Sequence, residues 1–222
     1  FQTFIPEDVV TKDLNLASYQ ITNKHKKKEK MFNMIKKLYL NFNEQKQLLQ
    51  LAKKINIDFI SSAFDLGSLK FLYNDLNLKI IKIPSGEITN FPYLKEIAKK
   101  NTKVILSTGL STLDEIKRAL SILTSNKLKK KNISILHCNT AYPTPLEDVN
   151  LNVIKKFKKI FKLPIGYSDH TIGIEVSIAA VAIGAKIIEK HFTLNKQMKG
   201  PDHKASLNIY ELKSLVKQIR NV

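Results

Sequence analysis

The stretch LKIIKIPSGE, residues 78–87, sets a short apolar, β-branched run against an abrupt polar tip, Lys82, Ser85 and Glu87. The same figure recurs along the chain. Gln2-Thr3 lies in the first run, Ser61-Ser62 follows IDFI, and Ser107-Thr108-Gly109 follows KVIL. His137 to Thr140 follows ISIL, Ser168-Asp169-His170 follows LPIGY, and Glu189-Lys190-His191 follows AKII. Each tip precedes a segment of helical periodicity, so the chain reads as strand, polar tip, helix, repeated. Parallel strands joined by helical crossovers carry their C-terminal ends to one face, where the active sites of α/β barrels lie. The expected fold class is therefore α/β, a (β/α)8 TIM barrel. Seven of its eight strands are visible, and the first is expected to precede Phe1.

Strands are expected near 1–4, 57–62, 79–83, 103–107, 133–137, 164–167 and 186–191. Their interiors lack strict alternation, as suits strands covered on both faces. Helices are expected at 31–37, 44–55, 66–75, 91–100, 112–125, 150–161, 174–184 and 208–220. Thr112 with Glu115 and Asn208 with Glu211 have capping-box spacing, and Asn43 and Asn150 are further candidate caps. Gly86 and Gly109 at strand tips suggest a positive φ or a close backbone approach. No repeat or linker interrupts the pattern, so 1–222 reads as one domain. Its 222 residues are close to the roughly 250 of an undivided α/β barrel.

The composition, 43% apolar and 25% charged, is ordinary for a globular fold, and no apolar run is long enough for a membrane span. The lone Cys138 excludes an intramolecular disulfide and points to a cytoplasmic location. A net charge of +18 raises the possibility of a polyanion partner. Against nucleic acid stands the near absence of arginine: only Arg118 and Arg220 are present, where bidentate base or phosphate readout calls for Arg. The densest basic run, Lys24 to Lys30, reads as a solvated loop leading into a helix, with a polyanion site as its alternative.

Two histidines carry the strongest chemical signal. His170 and His191 follow neighbouring strands, and paired neutral imidazoles can bind a divalent metal while leaving coordination positions for substrate oxygens. The competing reading is that each merely bonds a backbone carbonyl in a packed core. Glu189 shares a strand face with His191 by period-2 alternation. A second constellation suits phosphate: Lys82 as a compact cation, with hydroxyls of Ser62, Ser85, Ser107 and Ser168 at strand tips. A serine at a strand end is, by default, a helix cap. Glu87 in the same tip as Lys82 offers a carboxylate for proton transfer, or else a surface or capping acid.

The runs FQTF (1–4), KIPSGEITN (82–90), LSTG (106–109), HCNTAYPTPLEDVNL (137–151), GYSDHT (166–171), EKHFT (189–193) and GPDHKAS (200–206) resemble the N-acetylneuraminate (sialic acid) synthase family, which includes legionaminate and pseudaminate synthases. The resemblance covers essentially the whole chain. It implies condensation of phosphoenolpyruvate with N-acetylmannosamine or a related acetamido sugar, giving a nine-carbon α-keto acid and phosphate. It implies a divalent metal, Mn²⁺ foremost with Mg²⁺ or Co²⁺ as alternatives, on His170 and His191. Phosphoenolpyruvate would be held by Ser62, Lys82, Ser85, Ser107 and Ser168, and the sugar by Gln2, Thr140, Tyr142 and Asp202. Glu87, Glu189 and Lys82 would serve the reacting centre.

Thr140 stands where some members carry Asn. FQTF and GPDHKAS are closer to the sialic and legionaminic branches than to the pseudaminic one. The resemblance also implies a strand before Phe1 bearing a sugar-site glutamate, a small C-terminal antifreeze-like domain beyond Val222, and a homodimer. The 222 residues alone are accordingly expected to bind phosphoenolpyruvate and metal without turnover. Another metal-dependent aldolase or lyase on the same barrel is the alternative enzyme reading. A non-enzymatic polyanion binder would show steep salt dependence instead.

Overall fold

The computed structural model describes residues 1–16, 29–200 and 202–222; most of the Lys24–Lys30 run lies outside the described residues. The described chain divides into two compact units. One comprises Phe1–Ile105 with Lys117–Asn132, the other Leu106–Ile116 with Ile133–Val222.

The first unit is α/β, with strands in the order β1 (Gln2–Thr3), β2 (Ser62–Ala63), β3 (Ile80–Ile83) and the opening of β4 (Lys103–Ser107). Pairing is parallel, Gln2 opposite Ser62 and Ser62 opposite Lys82. Its helices are α1 (Pro6–Val9), α2 (Met31–Leu38), α3 (Phe42–Lys54), α4 (Leu66–Asn74) and α5 (Phe91–Ala98). Leu69, Leu72, Ile81, Ile83, Leu94 and Ile97 are fully buried, and Tyr93 ties α5 to β2 through a 2.9 Å bond from its hydroxyl to the Ala63 carbonyl. Helix α6 (Leu113–Leu123) begins in the second unit and ends in the first, while β4 runs the opposite way.

In the second unit β5 (Ile133–Cys138), β6 (Ile165–Asp169) and β7 (Ile188–Lys190) pair in parallel in chain order. They are accompanied by α7 (Asn152–Phe161), α8 (Glu175–Ala182) and α9 (Ile209–Asn221). In α7 the buried Ile154, Phe157 and Phe161 recur at helical spacing among lysines, so the apolar stripe alone drives its packing. Gly166 in β6 is obligatory for a different reason. A Cβ there would come within 2.5 Å of Leu136 Cδ2 and 2.8 Å of Ile187 Cβ, so only a hydrogen lets these backbones approach.

Among the described residues, seven strands and eight of the nine helices match the sequence expectation, and both capping boxes form. Four details differ. Strand β2 pairs at Ser62–Ala63 rather than over 57–62, because Ile57 is occupied closing α3, its N–H bonding the Ala52 carbonyl at 2.9 Å. The α3 cap is Asn41, not Asn43; Asn41 accepts from the N–H groups of Asn43 and Glu44 while Glu44 returns a bond to the Asn41 N–H. Asn150 does not cap α7 but takes a left-handed φ of 41°, a conformation Asn tolerates. At Gly86 a Cβ would meet nothing and φ is not positive, so neither reason given for glycine applies.

Candidate active site

In the first unit the parallel register places Gln2, Ser62 and Lys82 side by side on one sheet face, while Thr3 and Ala63 take the opposite one. Lys82 is buried, and its ammonium donates to the Ile83 carbonyl at 3.3 Å. The chain then turns through a single 3₁₀ turn, Ser85–Glu87, stabilised by Glu87 N–H to Pro84 O at 3.0 Å. Glu87 is half-buried, and its carboxylate accepts a 2.6 Å bond from Asn90, which also caps α5. A carboxylate so oriented keeps its other oxygen for a second partner. Gln2, Ser62, Lys82, Ser85 and Glu87 thus follow one another along neighbouring strand ends.

In the second unit β6 continues two residues further than expected, through Asp169. Alternation then decides the directions: Ser168 and Glu189 are register partners on one face, Asp169 and Lys190 on the other. Ser168 donates a 2.7 Å hydrogen bond to Glu189. Two residues beyond each lie His170 and His191, whose ring centroids are 5.6 Å apart at 75°. Tyr142, which precedes the cis bond to Pro143, lies 4.0 Å from the His170 ring and 5.6 Å from that of His191. His191 Nδ1 sits 3.7 Å from Asp202 Oδ2.

The tautomer of His170 follows from its partner. Nδ1 lies 2.7 Å from the Asn139 carbonyl, which carries no hydrogen, so Nδ1 is the donor and Nε2 presents a lone pair. Ser168 Oγ is 3.4 Å from that Nε2, but its hydrogen is directed to Glu189. Burial lowers the His170 pKa below its ordinary value, with the Asn139 bond opposing that shift, so the neutral, ligating form is favoured. Two imidazoles, one with its lone pair fixed, flanked by a carboxylate, suit a borderline divalent cation. Among the described residues no group of three or more His, Cys, Asp or Glu is arranged to hold a metal ion, so the two imidazoles are the candidate donors.

Six of the expected site residues, Tyr142, Ser168, His170, Glu189, His191 and Asp202, are therefore brought together in this unit. Ser107 ends β4, buried, and Thr140 is exposed beside Asn139. Sequence reasoning passed over Asn139, which acts through its backbone, and the buried pair Asp169–Lys190 behind the histidines. Reading the alternation through Ser168, Asp169 and His170 would have set that pair opposite the site.

A profile of the NeuB family matches residues 1–222. The chain is 52% identical over 222 residues to N,N'-diacetyllegionaminic acid synthase of Campylobacter jejuni, covering 100% of this chain and 66% of that protein. It is 41% identical over 186 residues to human N-acetylneuraminate-9-phosphate synthase, covering 83% of this chain and 51% of the relative. The chain thus spans about half to two thirds of the length of these relatives. A crystal structure of N-acetylneuraminic acid (sialic acid) synthetase from Leptospira borgpetersenii superposes with a TM-score of 0.85 at 32% identity, covering 100% of this chain and 71% of the other. With the family profile matched over residues 1–222, the chain belongs to the NeuB family.

Proposed function

We propose that this chain is the phosphoenolpyruvate- and metal-binding (β/α)8 barrel domain of a sialic-type synthase. The protein would condense phosphoenolpyruvate with an acetamido sugar of the legionaminic or sialic series, releasing phosphate. The observation that carries this reading is the His170–His191 pair beside the Ser168–Glu189 bond, in a chain of this family.

The division of labour follows from the residues. Lys82 would supply the compact positive charge for the phosphate of phosphoenolpyruvate, with hydroxyls of Ser62, Ser85 and Ser107 as donors; Ser168, whose one hydrogen goes to Glu189, would join them on exchanging that bond. His170 and His191 would hold a divalent metal, Mn²⁺ in this reading, which when bound supplies Lewis acidity toward the aldehyde oxygen of the open-chain sugar. Gln2, Thr140, Tyr142 and Asp202 would orient the sugar so that its aldehyde carbon meets C3 of the enol phosphate. As that C–C bond forms, positive charge develops at C2 and water adds there. Glu87 accepts the water's proton, which balances the one the aldehyde oxygen takes up to become a hydroxyl. Phosphate departs by C–O cleavage with the proton of the new C2 hydroxyl, leaving the keto group. Glu189, positioned by Ser168, would keep the centre's charge balanced. Most of the acceleration on this account is orientation and electrostatic preorganisation. In this reading the protein works in the cytoplasm as a homodimer.

The test is to incubate the full-length protein, rather than residues 1–222 alone, with phosphoenolpyruvate, Mn²⁺ and a panel of acetamido sugars, following inorganic phosphate and the α-keto acid product together. Stoichiometric appearance of both with one sugar class is expected. Binding of phosphoenolpyruvate and metal without phosphate release from any sugar would favour a different lyase or aldolase.

A further inference from the structure

Behind the two histidines lies a buried ion pair that the proposed chemistry does not use. Asp169 is completely buried, and the Lys190 side chain is 4% exposed. Their charged atoms meet at 3.0 Å, and the two residues are register partners at the ends of β6 and β7. Each is covalently adjacent to a candidate metal ligand, Asp169 to His170 and Lys190 to His191.

The remaining bonding capacity of the pair is spent on the same few residues. Asp169 Oδ1 accepts from the Thr171 N–H at 2.8 Å and from its hydroxyl at 2.7 Å. Asp169 Oδ2 accepts from Ser177 Oγ at 2.5 Å as well as from Lys190. The Lys190 ammonium donates to the Thr171 carbonyl at 2.6 Å. His170 is therefore bracketed: the residues before and after it are both fixed to Lys190, the residue before His191.

Such a pair is a poor device for stability alone. Removing two charges from water is costly, and well-packed neutral replacements are often neutral or stabilising. What the network does supply is geometry. We infer that Asp169 and Lys190 form a positioning clamp that fixes the His170–His191 spacing and so sets the affinity and selectivity for the metal. The inference rests on the reading of those histidines as metal ligands. Outer residues that orient ligands typically change metal affinity by about tenfold to a hundredfold when altered.

The test uses the neutral, near-isosteric double variant Asp169→Asn/Lys190→Met, with Thr171→Val as a milder second variant that leaves both charges in place. Binding of Mn²⁺ and Zn²⁺ is measured by calorimetry on protein shown to be folded by circular dichroism, and bound Mn²⁺ is examined by electron paramagnetic resonance. The double variant is expected to lose about tenfold to a hundredfold in Mn²⁺ affinity, with an altered resonance spectrum and a changed Mn²⁺/Zn²⁺ preference. Thr171→Val is expected to lose a few-fold and Thr171→Ser to recover it. A mere loss of folded protein would lower both metals alike and leave their ratio and the spectrum unmoved. If the folded variants bind both metals as wild type does while His170→Ala does not, the clamp is refuted and the metal reading stands. If wild type and His170→Ala bind Mn²⁺ equally, the metal reading fails and the clamp with it. If the double variant does not fold, Thr171→Val and Thr171→Ser decide the question.

Discussion

The Asn139 carbonyl accepts a 2.7 Å hydrogen bond from Nδ1 of His170, and this contact determines which ring nitrogen is offered to a ligand. A proton on Nδ1 leaves the Nε2 lone pair as the donor, and the carbonyl also resists ring rotation. Replacing His170 or His191 by Ala is therefore expected to abolish stoichiometric Mn²⁺ binding while far-ultraviolet circular dichroism stays native. Elemental analysis of dialysed protein checks it; undiminished Mn²⁺ in both variants would reject the assignment.

The α3 cap gives a local test of the backbone reading. Asn41 Oδ1 accepts from two N–H groups, at 2.9 Å from Asn43 and 3.0 Å from Glu44, whereas the exposed Asn43 side chain is not the cap. Asn41→Ala is expected to cost about 1 kcal/mol of stability and Asn43→Ala within about 0.5 kcal/mol of nothing. Urea midpoints at constant m-value distinguish the two.

How far the sequence went is instructive at particular residues. Apolar runs such as LKII and ISIL located strands because burial on both faces leaves no other use for them. Register was less legible: whether Ser168 or Asp169 faces the histidines depends on where β6 ends, and two residues decide it. The site histidines were recognisable as residue types at strand ends, while Asn139 was not, since a backbone carbonyl has no side-chain signature. The Asn41 cap was missed because two asparagines stand two residues apart, and the choice between them rests on backbone angles. The short helix Pro6–Val9 was missed because four residues carry no periodicity.

Acid should weaken the fold through His137. Its ring is buried, Nε2 donates to the Val149 carbonyl at 2.9 Å, and burial outweighs that bond to hold its pKa below the ordinary 6.5. Above pH 6.5 both folded and unfolded chains carry it neutral. As pH falls below about 6.5 the unfolded chain takes up a proton that the folded one does not, so stability drops until the depressed folded pKa is passed. One such group contributes at most about 1.4 kcal/mol per pH unit. His137→Gln, which keeps a donor for Val149, should flatten stability between pH 6.5 and 5, as read from denaturant midpoints. An unchanged slope would assign the acid sensitivity elsewhere.

Gly166 should tolerate nothing larger. An added methyl would press on Leu136 Cδ2 and on the Ile187 carbonyl, a backbone group that cannot withdraw without disturbing its bond from the Tyr167 N–H. Gly166→Ala is expected to lose about 1–3 kcal/mol, the range of overpacked cores. Thermal unfolding would show a midpoint several degrees lower, and a midpoint equal to wild type would mean that β6 and the Ile187 segment move apart freely.

In the proposed reading Lys82 serves phosphate binding and not metal binding. It stands beside Ser62 in register on β2 and β3, buried, whereas the histidines directly follow β6 and β7, which belong to the other compact unit. If Lys82 carries the phosphate, Lys82→Ala removes a charge-assisted contact worth about 1.5–3 kcal/mol, or about tenfold to over a hundredfold in phosphoenolpyruvate affinity. Mn²⁺ affinity should be untouched, because no metal ligand is altered. Lys82→Met, which restores the aliphatic volume without the charge, should show the same affinity loss with better stability than Ala, separating packing from electrostatics. The loss should also shrink as ionic strength rises, since added salt screens the same attraction in wild type. Calorimetry with phosphoenolpyruvate at two salt concentrations, calorimetry with Mn²⁺ and denaturant unfolding measure these effects, and equal phosphoenolpyruvate affinity in wild type and Lys82→Met would make Lys82 a structural residue of β3.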